Sequence, residues 1–206
     1  MPGPARAPIC SVVELVTVVR EARESDLEAV AGIYADATLT PATFDLEGQP
    51  VQWWREVLAA ADPAAGHLLL VAERDGEVAG YAKSGTFKVK PAYHTTVEIS
   101  AYVHADHRGA GVGDALYTGL FERLDATPLR LAVAGVTRPN EASDRLHRRH
   151  GFTEVGIFHG VGVKLGRAWD VQWLERPLRG AADLEDLAGM PNASTPIQEE
   201  SDAGRG

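Results

Sequence analysis

The run Arg108-Gly109-Ala110-Gly111-Val112-Gly113-Asp114 has the residue types to hold an anion. Glycines at 109, 111 and 113 carry no side chain, so their backbone N–H groups can approach a pyrophosphate closely. The apolar periodicity from Gly111 to Leu124 predicts a helix, with Leu116, Leu120 and Phe121 turned inward. Its free N–H groups and positive dipole end point at the same place, and Arg108 can add a charge-assisted contact. The run is not a P-loop, because no Gly-Lys-Ser/Thr follows. Its Gly-x-Gly-x-Gly spacing is also a poor dinucleotide fingerprint, and the strand before it does not open a βαβ unit. The plain alternative is a tight strand-to-helix turn with no ligand.

Three more residues have chemistry in reach of that loop. Glu98 lies in the strand-like run Val97–Val103, where alternation puts it on one face with Ser100 and opposite Val97 and Ile99. A carboxylate in a cleft between apolar neighbours has a raised pKa and can accept a proton; the alternative is a solvated strand glutamate. Asn140 opens the helical run Asn140–His150 and has the type of an N-cap. His147 lies two turns into that helix and reads as a partly exposed helix histidine. The i,i+3 pairs His104/His107 and His147/His150 have no cysteine or clear carboxylate set beside them, so no metal is expected. Cys10 is the single cysteine and has no nearby histidine, so no disulfide and no thiol catalysis is expected.

These residues need a scaffold. Val16–Arg20 reads as a strand, and Ser25 with Glu28 reads as a capping box opening a helix through Leu27, Val30, Ala31 and Tyr34. Trp53–Ala61 is a second helix, stopped at Asp62-Pro63, with Trp53 and Trp54 as a rim and core pair. His67–Glu73 and Glu77–Thr86 form a hairpin across Asp75-Gly76. Leu129–Val136, Phe152–Phe158 and Ala168–Leu178 complete the strands. This order predicts an α/β domain with a mixed central sheet flanked by helices.

Composition bounds the rest. The 206 residues fit one domain with loose ends. Residues 1–15, which begin MPGPARAP, read as a flexible arm, and the acidic stretch 179–206 as a disordered tail with a possible short helix at 181–187. The 29 acidic against 20 basic side chains give a net charge of −9, which disfavours nucleic acid and anionic membranes as partners. No apolar run is long enough to span a bilayer and no signal peptide is legible, so a cytoplasmic protein is expected.

The motif Arg-x-x-Gly-x-Gly, formed by Arg108, Gly111 and Gly113 behind a strand, resembles the acetyl-CoA motif of the GNAT superfamily of N-acetyltransferases. Four ordered blocks narrow the resemblance: ATFDLE at 42–47, TVEISAYVHADHRGAGVGDALYTGLFERL from Thr96, RPNEASDRLHRRHGF at 138–152, and GVGVKLGRAWDVQWLERPL at 160–178. Together they are similar to phosphinothricin N-acetyltransferases and their relatives acting on methionine sulfone and sulfoximine, over residues 16–178.

The resemblance implies the GNAT fold, acetyl-CoA as co-substrate, a small amino-acid-like amine as acceptor, and a homodimer. It implies Glu98 as base, and main-chain N–H groups of Ala101, Tyr102 and Val103 against the thioester. Gly109, Ala110, Gly111, Val112, Gly113 and Asp114 would take the pyrophosphate, and Asn140 the coenzyme arm. His147 stands where many relatives carry a thiolate-protonating tyrosine. Pro91, Ala92 and Tyr93, with Lys88 and Lys90, match the segment that contacts substrate. One departure stands out: Ala168-Trp169 occupies positions that are often Trp-His in the family. Two rival readings keep the same loop: a non-catalytic acyl-CoA sensor, and a peptide or protein N-acetyltransferase.

Overall fold

A computed structural model describes residues 16–180. The predicted arm, and the predicted tail apart from Arg179 and Gly180, lie outside the described residues. Seven strands form one sheet in the order β1-β2-β3-β4-β5-β7-β6. They are β1 (Val18–Glu21), β2 (Leu68–Arg74), β3 (Glu77–Thr86), β4 (Thr96–Val103), β5 (Leu131–Thr137), β6 (Thr153–Lys164) and β7 (Arg167–Pro177). All neighbours are antiparallel except β4 and β5, which run parallel. The helices are α1 (Leu27–Thr38), α2 (Val51–Ala59), α3 (Val112–Leu124) and α4 (Glu141–Arg149). Among the described residues no helix is long and apolar enough to cross a membrane.

Strand alternation sorts the side chains into two layers. Leu68, Leu70, Val97 and Ile99 face α3, whose Leu116, Leu120 and Leu124 are fully buried against them. Leu69, Val71 and Tyr81 face α1 and α2, where Leu27, Val30, Ile33 and Trp54 close the second core. Burying each large aliphatic side chain contributes roughly 1.5–3 kcal/mol. Trp54 sits edge-on to Tyr34 and Tyr81, with ring centroids 5.5 and 5.1 Å away.

Element types follow the sequence reading, with three corrections. Ser25 does not cap α1: a 3-10 turn over Glu24–Asp26 precedes the helix, Asp26 is the N-cap residue, and no side chain caps the helix amides. The Asp26 carboxylate instead accepts the Arg23 N–H at 2.7 Å and a bidentate contact from Arg20. The second helix starts earlier, at Val51, because Pro50 fits the N-cap conformation with φ −66°. The strand expected at Phe152–Phe158 continues to Lys164, since pairing with β7 resumes at Gly162 after an irregularity that begins at Phe158.

The end of the domain is tied to α3. Arg176 on β7 grips the Asp125 carboxylate with two hydrogen bonds of 2.9 Å and lies over Phe121. Both charged side chains are largely buried, 12% and 16% exposed. Replacing Asp125 by Ala strands the guanidinium in the interior. The expected loss is about 3 kcal/mol, read as a lower urea midpoint at unchanged slope.

Candidate active site

The central feature is a parting of strands. β4 and β5 pair only over Thr96–Leu131, Val97–Ala132 and Glu98–Val133. Beyond Glu98 they diverge, and a groove of about 850 Å³ opens between them, reaching the glycine loop and α4. The other edge of β4 stays paired with β3 through Val103. The His104 N–H donates to the Ala79 carbonyl at 2.9 Å. By antiparallel alternation the main-chain groups of Tyr102 and Ser100 therefore turn to β3, and those of Ala101 and Val103 turn to the gap. Of the three residues expected to offer amides, two have them aimed into the groove. Tyr102 also lines the groove, and its ring packs on Tyr34 and Tyr81.

At the groove's far end the loop delivers the chain into α3. Gly109 and Gly111 have φ of 76° and 80°. Gly111 is the left-handed N-cap of α3, and nothing lies within 4 Å of a Cβ built there. Its demand for glycine is thus conformational rather than steric. Among the described residues, the N–H groups of Gly109, Gly111, Val112, Gly113 and Asp114 have no partner. Those of Arg108 and Ala110 make long bonds of 3.4 Å to Ala105 and His107. Arg74 holds the loop through the Ala110 carbonyl. A Cβ at Gly113 would stand 3.4 Å from Leu146, so α3 and α4 pack closely here. These free amides, with the dipole behind them, fit a diphosphate.

An acidic side chain at that spot would oppose an anion. Asp114 is neutralised instead: its carboxylate accepts from Arg149 at 2.8 Å and meets His150 Nε2 at 3.1 Å. The Arg149 hydrogen bond is the main reason its pKa falls below the ordinary carboxylate value. The same contacts tie the start of α3 to the end of α4.

Asn140 is an N-cap, as its type suggested. Its Oδ1 accepts the Ser143 N–H at 3.1 Å. The side-chain NH₂ remains available to the groove that Asn140 lines. His147 is not a partly exposed helix residue: it is 4% exposed. Its Nδ1 donates to the Ser143 carbonyl at 2.8 Å, so Nε2 is the acceptor and receives the Tyr117 hydroxyl at 3.0 Å. Burial lowers the His147 pKa. The ring is neutral, with its one proton committed to the helix backbone. The Tyr117 partnership has no local sequence signal, because it joins residues of two different helices.

Glu98 lies on the α1/α2 face with Ser100, one residue before the stretch Ile99–Val103 that lines the groove, and is not itself one of the lining residues. One side is open to solvent, yet loss of hydration on the others raises its pKa, with Lys83 and Lys88 pulling it back. Pro91–Tyr93 forms a short 3-10 turn beside it. Tyr93 packs edge-on to Phe87, which packs on Trp173. Lys88 lies over Phe87, while Lys90 is exposed.

Sequence reasoning missed what holds the loop opposite Glu98. Lys164, at the end of β6, is buried and donates to the Thr43 and Asp45 carbonyls at 2.7 Å each. Tyr34 donates to the Asp45 carboxylate at 2.6 Å. Phe44 lies so close to Gly162 that a Cβ there would clash at 2.3 Å. Trp169 braces the hairpin by donating to the Lys164 carbonyl at 2.9 Å. Lys164→Met leaves two carbonyls without their donor. The expected result is faster amide exchange over 40–47 and a several-fold higher acceptor KM, with coenzyme affinity unchanged by calorimetry.

Known proteins place this geometry in a family. A model described as "Acetyltransferase (GNAT) domain" matches residues 19–173. A phosphinothricin N-acetyltransferase of Streptomyces coelicolor is 43% identical over 163 residues, covering 78% of this chain and 95% of that protein. An L-methionine sulfoximine/L-methionine sulfone acetyltransferase of Salmonella typhimurium is 34% identical, covering 78% and 94%. A crystal structure of a phosphinothricin acetyltransferase from Sinorhizobium meliloti in complex with AcCoA superposes with a TM-score of 0.76 at 30% identity. It covers 81% of this chain and 90% of that one. The groove, the bare loop amides and these similarities lead to one conclusion: the chain belongs to the GNAT family of acetyltransferases.

Proposed function

We propose that this enzyme moves acetyl from acetyl-CoA to the primary amine of a small amino-acid-like acceptor of the phosphinothricin or methionine sulfone and sulfoximine type. The observation that carries the reading is the parting of β4 and β5. It leaves the Ala101 and Val103 amides aimed into a groove that continues to the free amides of Gly111–Asp114. The relatives' names support the acceptor class. The exposed apolar side chains of Val155, Phe158, Val161 and Val163 on edge strand β6 support a homodimer.

The coenzyme supplies a thioester, an electrophilic carbonyl with a thiolate leaving group. The protein's own residues do four things. The loop amides and Asn140 hold the coenzyme. The Ala101 and Val103 amides stabilise negative charge on the carbonyl oxygen, a contribution of about 3 kcal/mol in comparable oxyanion sites. Glu98 takes one proton from the incoming ammonium, directly or through water. The nitrogen then forms its bond to the carbonyl carbon as the carbon–sulfur bond breaks, and its second proton ends on the sulfur. His147 enters as the acceptor that holds Tyr117 in the groove wall, because its one proton is already bound to Ser143.

A thiol-release assay over a panel of free amino acids, including phosphinothricin and methionine sulfone, tests the reading; silence across the panel would sink it. Turnover is expected to rise with pH through the elevated Glu98 pKa. Glu98→Gln should lower kcat by roughly 10²–10⁴ and flatten that limb. Ionising a carboxyl whose folded pKa is raised costs stability as pH climbs. Glu98→Gln should therefore melt no lower than the wild type at mildly alkaline pH. Any advantage should fade below the ordinary value of 4.5. Gly111→Val forces a β-branched residue into φ 80°. It should weaken coenzyme binding about tenfold or more.

A further inference from the structure

The base Glu98 has a cation beside it that the scheme above leaves unused. The β3–β4 register places Lys83 opposite Ser100 and Gly85 opposite Glu98. Lys83, Ser100 and Glu98 thus share the face covered by α1 and α2. Diagonal neighbours on such a pair stand about 7–8 Å apart. Among the described residues the Lys83 ammonium has no hydrogen bond and no carboxylate within ion-pair distance. Its contact is the Trp53 ring, 5.2 Å from the centroid.

A half-buried ammonium without an anion is costly. Burial lowers the Lys83 pKa, and the fields of Glu98 and Asp45 draw it back up. Those two carboxylates are the charged groups that face it. On an exposed strand the side chain would reach water; here it lies along α2. The placement also acts on the incoming substrate. A cation next to the base repels a bare alkylammonium and so works against a simple amine. An acceptor carrying an acid group removes that penalty, since its anion meets Lys83 while its amine meets Glu98. A chain of net charge −9 repels anions overall, so an anionic acceptor needs a local cation.

We infer that Lys83 is a specificity-determining residue that binds an anionic oxygen-acid group of the acceptor beside Glu98. This rests on the acetyl-transfer reading and names the substrate chemistry of the same site. The group is the α-carboxylate common to amino acids or a side-chain acid such as a phosphinate.

The experiment uses the full chain at saturating acetyl-CoA, with wild type, Lys83→Met and Lys83→Arg. Acceptors are methionine sulfone, phosphinothricin and the α-carboxamide of each, followed by thiol release. Melting temperature and coenzyme titration check that each variant is folded, and the Arg variant keeps the test alive if Met fails to fold. Lys83→Met is expected to raise the acceptor KM about ten- to hundredfold, with kcat within about threefold. Lys83→Arg should recover most of the affinity. If the α-carboxylate is the ligand, both acids lose affinity and neither carboxamide does. If the side-chain acid is the ligand, the loss is confined to phosphinothricin and persists in its carboxamide. Equal effects on all four acceptors, or no effect on any, overturn the inference and leave the acetyl-transfer reading standing. No turnover by the wild type on any acceptor overturns both.

Discussion

The site depends on a decision made in the middle of the sheet. Parallel strands normally exchange hydrogen bonds along their length, and unpaired main-chain groups in an interior are costly. Here β4 stops bonding to β5 after Glu98–Val133, while its other edge stays bonded to β3. The strand is held rigid from one side and left open on the other. A backbone with one paired edge makes a better donor array than a loop, because its amides cannot rotate away. Fixed donors need no reorganisation as charge develops on the carbonyl oxygen. Only Arg138 and Pro139 separate β5 from the Asn140 cap of α4, and residues of both elements line the groove's second wall.

Charge is arranged so that this opening accepts an anion in an acidic protein. The loop presents amides rather than lysines, and the one carboxylate at the helix start is held by Arg149 and His150. Around Glu98, just before the groove-lining stretch of β4, the logic reverses. Glu98 is kept hard to ionise by its surroundings, and the cations near it, Lys83 and Lys88, limit that effect. The loop amides suit negative charge, and the Glu98 carboxyl pKa is held above the ordinary carboxylate value.

How much of this was legible in the chain varies with the range of the interaction. The glycine loop was readable because a left-handed N-cap and free helix amides are local demands, written within seven residues. The face shared by Glu98 and Ser100 followed from strand alternation alone. The parting of β4 from β5 was not readable without the family resemblance, because nothing in Ile99–Val103 differs from an ordinary strand. His147 was half readable: its place on α4 was clear, but its burial depends on Tyr117, thirty residues away in sequence. The grip of Lys164 on Thr43 spans 121 residues and left no local trace. Ser25 misled because a capping-box pattern does not reveal that a 3-10 turn precedes the helix and moves the N-cap to Asp26.

The Ala168-Trp169 pair lies on the hairpin that makes the long-range contacts of Lys164. An alanine where a tryptophan is common would remove a large surface from the end of the β6–β7 hairpin. The adjacent Trp169 supplies a brace instead, with its indole N–H on the Lys164 carbonyl and Arg167 stacked 3.6 Å from its ring. That brace fixes the backbone from which Lys164 reaches the Thr43–Asp45 segment, and Phe44 closes onto the bare Gly162. The loop facing Glu98 is thus set by the hairpin tip, far along the chain from both. Substitutions at 162–169 that touch neither coenzyme nor base can therefore reshape the acceptor side, while the groove between β4 and β5 keeps its form.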